Sequence, residues 1–552
     1  MSGEPYPTEA DPYAVLDDSD RTFWADAVAD AIEARDPDEP ITIKGGVSPS
    51  GIPHIGHPNE ILRGYFVAEA LRERGREVRQ VFTSDDRDRL RKLPRRLANL
   101  DGEIVGLSEV DAGALGRNLG RPYTDIPDPF GCCDSYGDHF TELLRRDMER
   151  LGVEVEFLSN TALYEDGAFD DAVRHVLSHQ EQARKVLARY QDKVDEDYVP
   201  LFAICEECGQ LTETITAVDL EAGTVSYRCT DVETGGDTIE GCGHEGTTAL
   251  RNGKLPWRFE WPAQWGILDV DHEPFGKDHA EGSWPSGVDI ARNVLDIVPP
   301  VPMVYEWFTL EGKALSSSGG HVVTVDEVLD ILEPAVLRYF FSKAPLKQRD
   351  FSIERIDQLV DEFDEFERVY FGEVETPERE RNRAERAYPM VVEEVREQRV
   401  RIPYTFAAVL GMTDDPDLRE EIARREGHIP DDAPEWAVEQ ALARVERARN
   451  WARRTGNEFD YELKRSALPD VSFDEATEQA LDELADFVEE GHDGEAIQGE
   501  IYETAKRHDI EVADFFAAGY QLFFDDDEGP KLGPFLGKLD REFVVERLRR
   551  EG

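Results

Sequence analysis

Hydrophobic positions recur along this 552-residue chain in two rhythms, and the rhythm changes near residue 350. From 41 to about 165, short apolar runs (ITIKGGV, REVRQVFTS, LGVEVEFLSN) alternate with stretches of 3.6-residue period (PNEILRGYFVAEALRERG, GDHFTELLRRDMERL). The short runs read as strands and the periodic stretches as helices, which predicts βαβ units on a parallel sheet. Residues 166–200 (DDAVRHVLSHQEQARKVLARY) read as helices, while 201–253 turn to Cys, Gly, Thr and short β-like runs. Alternation returns over 254–349. Beyond 350 the pattern is helical and very polar, with short Pro/Gly breaks. The expected organisation is a helical lead-in (1–40), an α/β domain in two halves (41–200 and 254–349) around an insertion (201–253), and an all-α region (350–552).

Three segments within this framework carry chemistry. PSGIPHIGH (49–57) places two histidines where a strand turns into a helix N-terminus, a position suited to anions. In the insertion, Cys205 and Cys208 form a CxxC, and Cys229 and Cys242 follow twelve or so residues apart. Four such cysteines suit a structural tetrahedral zinc site, with His244 as a possible substitute ligand. Such a site would organise the insertion without doing chemistry. The adjacent Cys132 and Cys133 are expected to be buried packing residues, since neighbours do not easily share one metal. The third segment, TLEGKALSSSGGHVV (309–323), is a small-residue loop with Lys313 at its start. Alone it is only a loop; opposite 49–57 it can close a site.

Charge changes the picture of possible partners. The chain carries 119 acidic and 62 basic residues, net −57, with the acids spread throughout. Of the cations 13 are Lys and 49 Arg. Both features fit a surface adapted to concentrated salt, where the Debye length shrinks to about 3 Å at 1 M and net charge hardly acts at a distance. An acidic surface in ordinary cytosol is the alternative. Nucleic acid stays possible through local basic runs, of which RDRLRKLPRRL (87–97) is the densest beside the histidines. ARVERARNWARRTGNEFDYELKR (443–465) interleaves Arg447, Arg449, Arg453 and Arg454 with Trp451. No apolar run approaches the ~20 residues of a bilayer span, and the N-terminus lacks a signal-peptide layout, so a cytoplasmic protein is expected.

PSGIPHIGH resembles the HIGH signature of class I aminoacyl-tRNA synthetases, and the Ser/Gly loop resembles a variant of their KMSKS signature. SDDRDRLRKLP (84–94), DPFGCCDSYGDHF (128–140), LPWRFEWPAQW (255–265) and EPFGKDH (273–279), in that order, narrow the resemblance to the archaeal-type class I lysyl-tRNA synthetases. The resemblance implies a Rossmann-like catalytic domain with a zinc-binding insertion and a helical anticodon-binding region, acting on ATP with Mg²⁺, L-lysine and tRNA(Lys). It implies that His54, His57, Lys313, Ser316, Ser317 and Ser318 act on phosphate, and that Pro49, Ser50, Gly51, Gly56, Gly276 and Asp278 hold ATP. Gly46, Ser48, Trp257, His279 and Tyr305 would line the lysine pocket, with Asp85 or Asp86 offering a carboxylate to the ammonium. Arg91 and Lys92, and Arg453, Arg454 and Trp451 in the helical region, are the candidate tRNA contacts. A monomer is favoured. The loop departs from the family pattern: Ala314 and Gly319 stand where lysines are expected. Lys343, Lys347 or Arg349 are then candidates to reach the triphosphate. A synthetase for another amino acid, such as glutamate, and a catalytically silent tRNA-binding relative are the alternatives.

Overall fold

The computed structural model describes the chain except residues 1–5, 18, 193, 235–236, 315–321, 466 and 552. Five strands form one sheet: β1 (Ile41–Val47), β2 (Val78–Ser84), β3 (Glu156–Ser159), β4 (Val270–Gly276) and β5 (Val301–Tyr305), in the order β5-β4-β1-β2-β3. Every pairing is parallel. β1 lies at the centre and is buried from Ile41 to Gly45, which is why it reads as a nearly unbroken apolar run. Its one charged residue, Lys44, is neutralised by Glu273 of β4 at 2.9 Å.

The chain builds from β1 outward through β2 to β3, then crosses back to lay β4 and β5 on the other side of β1. That reversal opens a crevice at the carboxyl ends of β1 and β4, where open α/β sheets take their ligands. Helix α1 (Gly56–Arg72) begins directly below the crevice and buries Ile61, Leu62, Phe66 and Val67. α2 (Tyr136–Arg150) is started by Ser135, whose Oγ accepts from the Asp138 N–H at 3.1 Å. α3 (Trp257–Ile267) and α4 (Lys277–Gly282) flank β4.

The 166–200 region forms two helices, Asp170–Ser178 and Gln180–Leu187, whose apolar faces share a core with Tyr227, Leu250 and Phe259 of the insertion and α3. The insertion itself is two small antiparallel sheets. After β5, β6 (Phe308–Leu310) pairs antiparallel with β7 (Lys313–Ala314) and parallel with β8 (Arg349–Phe351).

The chain divides into two compact units. The first holds the sheet, the insertion and residues 372–394; its helix Glu378–Val391 is tied to the lead-in helix by Arg386 with Asp26, at 2.8 Å. The second is helical and holds residues 329–333, 353–371 and 395–552. Its longest helix, Glu435–Thr455, buries Arg444, which donates to Asp364 at 2.7 and 2.9 Å and to Glu333 at 2.6 Å. Trp451, expected on a base-stacking surface, is instead only 4% exposed. Its Nε1–H donates to the Ile353 carbonyl at 2.8 Å and its ring packs near Tyr404 and Phe459. It is the apolar face of an amphipathic helix, so it does not present its ring to RNA. Arg449 is likewise buried against Asp414, whereas Arg453 and Arg454 are exposed.

Candidate active site and metal centres

β1 ends at Val47, and the next ten residues turn across the crevice into α1. Hydrogen bonding within this turn fixes both imidazoles. The Gly56 N–H donates to His54 Nδ1 and the His54 N–H donates to His57 Nδ1, each at 3.0 Å. Because each Nδ1 accepts, each ring carries its proton on Nε2. The rings stack with centroids 4.2 Å apart. Burial, with His57 beside it, holds His54 well below its ordinary pKa, and burial lowers His57 to about 4. The pair is therefore neutral at pH 7 and offers two N–H donors, with no protein partner for either Nε2 among the described residues.

These donors face a cavity of about 540 Å³, also lined by Gly56, Gly276, Asp278, Tyr305 and Ala314. Asp278, in the first turn of α4, makes no capping bond; its carboxylate is half-exposed and accepts from Trp307 Nε1 at 3.4 Å. Lys277 next to it turns aside to Glu306 at 3.0 Å. Lys313 is exposed at the end of the β6–β7 hairpin; Ser316, Ser317, Ser318 and Gly319 lie outside the described residues. The cations expected to reach the cavity do not line it. Lys343 is buried with its Nζ 4.7 Å from the centre of the Tyr339 ring, and Lys347 and Arg349 are not at the cavity wall. Pro49 and Gly51 line a small hollow behind His57, and the Ser50 carbonyl accepts from the Tyr136 hydroxyl at 3.0 Å.

A second, deeper pocket of about 230 Å³ adjoins the first, sharing Gly46, Glu60 and His279 with it. One wall is aromatic: Trp257 stacks on Trp261 at 5.1 Å, and His279 lies 5.4 Å from Trp257. The polar wall is acidic. Glu273 is fully engaged, by Lys44 and by the indole N–H groups of Trp261 and Trp265 at 3.0 and 2.5 Å. Asp85 accepts from Asn160 Nδ2 at 2.8 Å, and burial with Asp88 nearby raises its pKa. Asp86, the other candidate carboxylate, faces away and accepts from the Thr161 N–H at 2.8 Å at a helix start. Successive residues leaving a strand point to opposite sides, so only one of the two can serve the pocket.

The residue missed in the sequence is Glu60. It lies one turn into α1, accepting from the Gly46 N–H at 2.8 Å and the Tyr305 hydroxyl at 2.9 Å. No cation pairs with it, and burial raises its pKa to about 7. Gly46 and Tyr305, expected in the pocket, are thus the two groups that aim this carboxylate. A Cβ at Gly45 would stand 2.8 Å from Glu60 Oε1, so glycine there keeps room for it. The only sequence cue was an acid interrupting a buried apolar helix face.

Two clusters can hold a metal. The Sγ atoms of Cys205, Cys208, Cys229 and Cys242 lie within 4.8 Å of one another, with Cys205–Cys242 at 3.6 Å and Cys208–Cys229 at 3.7 Å. Zinc–sulfur bonds of about 2.3 Å in a tetrahedron give edges of about 3.8 Å, so the set fits zinc. His244 is outside it, its Nε2 on Glu206 at 3.2 Å. Cys132 and Cys133 correct the expectation of buried packing: Cys132 is exposed, and both cluster with Asp128 and His139. His139 Nε2 lies 2.8 Å from the Ala98 carbonyl and donates to it, which leaves the Nδ1 lone pair facing Cys132 Sγ (3.4 Å) and Asp128 (3.3 Å). This is the tautomer a metal ligand needs. The tight turn after Asp128 lets neighbouring thiols converge, which spacing alone did not indicate.

Residues 22–393 match the family described as tRNA synthetases class I (K). A lysine–tRNA ligase of Haloarcula marismortui is 74% identical over 540 residues, covering 98% of this chain and 99% of its own. That of Halobacterium salinarum is 68% identical (98% and 99% covered), and that of Pyrococcus horikoshii 33% (96% and 99%). The sheet with its switch point, the histidine turn over the crevice and the thiolate insertion all agree with this match: the chain belongs to the class I (K) tRNA synthetases.

Proposed function

We propose that the chain is a lysine–tRNA ligase of the cytoplasm, activating L-lysine with ATP and transferring it to the 3′-terminal adenosine of tRNA(Lys). The observation that carries this reading is the inner pocket, closed by aromatic rings along one side and by Glu60 and Asp85 on the other. A stem of methylenes packs on the rings, and an ammonium meets the free carboxylate. A glutamate side chain would face three carboxylates and one lysine already paired, so that specificity is disfavoured. The family match, and relatives bearing the lysine–tRNA ligase name along nearly their whole length, support the same reading. No helix among the described residues is long and apolar enough to cross a membrane.

The chemistry needs positioning more than a nucleophile, because the substrate carboxylate itself attacks the α-phosphorus of ATP and expels pyrophosphate. His54 and His57 donate from Nε2 to the phosphate oxygens as charge builds on them, at the positive end of α1. Asp278 takes the ribose hydroxyls. Lys313 is the cation nearest the hairpin tip, and the serines that follow supply donors. Mg²⁺ travels with ATP and offsets phosphate charge. In the second step a ribose hydroxyl oxygen bonds to the lysyl carbonyl carbon, the bond from that carbon to the phosphate oxygen breaks, and AMP leaves and takes up the hydroxyl proton. Zinc in the Cys205–Cys242 set would brace the insertion, with no open position for chemistry, and the Asp128–His139 set would pin the turn that leads into α2.

The test is lysine-dependent charging of tRNA, with ATP–pyrophosphate exchange for each amino acid, in multi-molar KCl. Charging with lysine alone supports the reading. Charging with another amino acid refutes it, and tRNA binding without any charging identifies a silent relative.

A further inference from the structure

A third cavity, of about 590 Å³, lies on the opposite side of the histidine turn from the nucleotide cavity. The two share no lining residue, yet each adjoins the lysine pocket: the nucleotide cavity at Gly46 and Glu60, this one at Ser48. The lysine pocket therefore has two approaches. One is walled by phosphate-type donors; the other is walled by cations.

The cations are Arg91, Lys92, Arg95 and Arg96, all exposed. Elsewhere in the chain arginines are mostly tied to acids, as 119 carboxylates against 62 cations make easy. These four have no ion-pair partner among the described residues. Asp88, the one acid lining the cavity, is occupied: it accepts from Ser48 Oγ at 3.0 Å and pairs with buried Lys254 at 3.1 Å. The strip is also held in place. Leu90 exchanges backbone hydrogen bonds with Arg121 and Gly120, each 2.9 Å, and Arg96 opens a short hairpin strand paired with Ile104–Gly106. Pro94 sits between the two pairs of cations. A fixed row of four unpaired cations around a groove, in a chain otherwise saturated with acid, is what a single polyanionic strand requires.

We propose that this cleft holds the phosphates of the single-stranded 3′ end of the tRNA acceptor, so that its terminal ribose reaches lysyl-adenylate from the side opposite ATP. The proposal rests on the lysine–tRNA ligase reading and assigns that site a separate door for its second substrate. ATP or pyrophosphate is the competing anion, and it already has the cavity of His54, His57 and Asp278.

The test uses the full chain with Arg95→Gln and Arg96→Gln together, outside the activating site. Phosphate footprinting on tRNA is compared with steady-state charging. The expected results are loss of protection at the 3′-terminal phosphates with other protection retained, and kcat/KM for tRNA lowered about 10-fold or more, with KM for ATP and lysine within about two-fold of the parent. The slope of log affinity against log salt should become shallower by about 1.4, at about 0.7 per single-strand phosphate contact. Unchanged 3′ protection overturns the proposal, as does a raised KM for ATP with 3′ protection intact. Lys92→Gln, on the same wall, gives the same pattern in reduced size if the double variant fails to fold. Parent protein that charges no tRNA with lysine would instead sink the function reading, and the footprint still reports where the 3′ end lies.

Discussion

Replacing Glu60 by Gln tests the lysine pocket at the group that defines it. Glutamine fills the same volume, and its amide can still meet the Gly46 N–H and the Tyr305 hydroxyl, so the fold is retained. What is lost is charge. Burial raises the Glu60 pKa from 4.5 to about 7, which corresponds to about 3 kcal/mol against ionising this carboxylate in the empty pocket. An incoming ammonium must at least offset that cost, since it binds the ionised form. Removing the carboxylate should therefore lower kcat/KM for lysine by roughly 100-fold or more, at about 1.4 kcal/mol per decade. KM for ATP should move little, because the histidine donors are unaltered. The free variant should be as stable as the parent or more so at pH 8, where the parent carries an unpaired buried charge. The assay is steady-state charging with lysine varied, alongside a melting curve. A loss under about five-fold, or one shared equally by lysine and ATP, refutes Glu60 as the ammonium partner.

Four further outcomes follow from the same geometry. KM for lysine should rise about ten-fold per unit as pH falls below about 7 and stay level above it, because the raised Glu60 carboxyl must ionise to bind and gives up its proton on lysine binding; Glu60→Gln should flatten this profile. His57→Ala should lower adenylate formation by about 100-fold or more while the melting temperature moves little, and the reverse pattern would assign the ring to packing. Metal analysis should find two zinc ions per chain, falling to one in Cys208→Ser and, independently, to one in Cys133→Ser. The melting temperature should climb steeply as KCl is raised from millimolar to molar, since net −57 repels itself at low salt; a flat response would mean the acids are locally balanced.

Much of the fold was legible because a central parallel strand and an amphipathic helix write their burial into the sequence. β1 and α1 lie where the rhythm put them, and the four insertion cysteines announce themselves by chemistry that little else needs. Side chains whose role depends on direction were harder. Asp85 and Asp86 are neighbours of identical type, and only their exit from β2 sends one to the lysine pocket and the other to a helix start. Trp451 looked like a stacking residue because arginines surround it in sequence, but on a helix those arginines and the indole occupy different faces. Glu60 was invisible because a lone acid in an apolar helix says nothing until Gly46 and Tyr305 are seen to hold it.

The same difference between average and placement governs charge. A net of −57 argues against a polyanionic partner, and as a chain-wide average it is misleading, because screening in concentrated salt leaves only contacts within a few ångströms. At that range Arg91, Lys92, Arg95 and Arg96 face a groove whose single acid is already bound by Lys254. The acids that make the chain soluble in salt are thus kept out of the one approach to the lysine pocket that RNA would need. Ala314 fits the same logic from the other side: the nucleotide cavity lacks the expected lysine at that position, and its remaining donors are uncharged imidazole N–H groups. Neutral donors lose less to salt than cations do, so a cavity built on them should keep its hold on ATP as KCl rises. The KM for ATP should then depend on salt more weakly than the KM for tRNA.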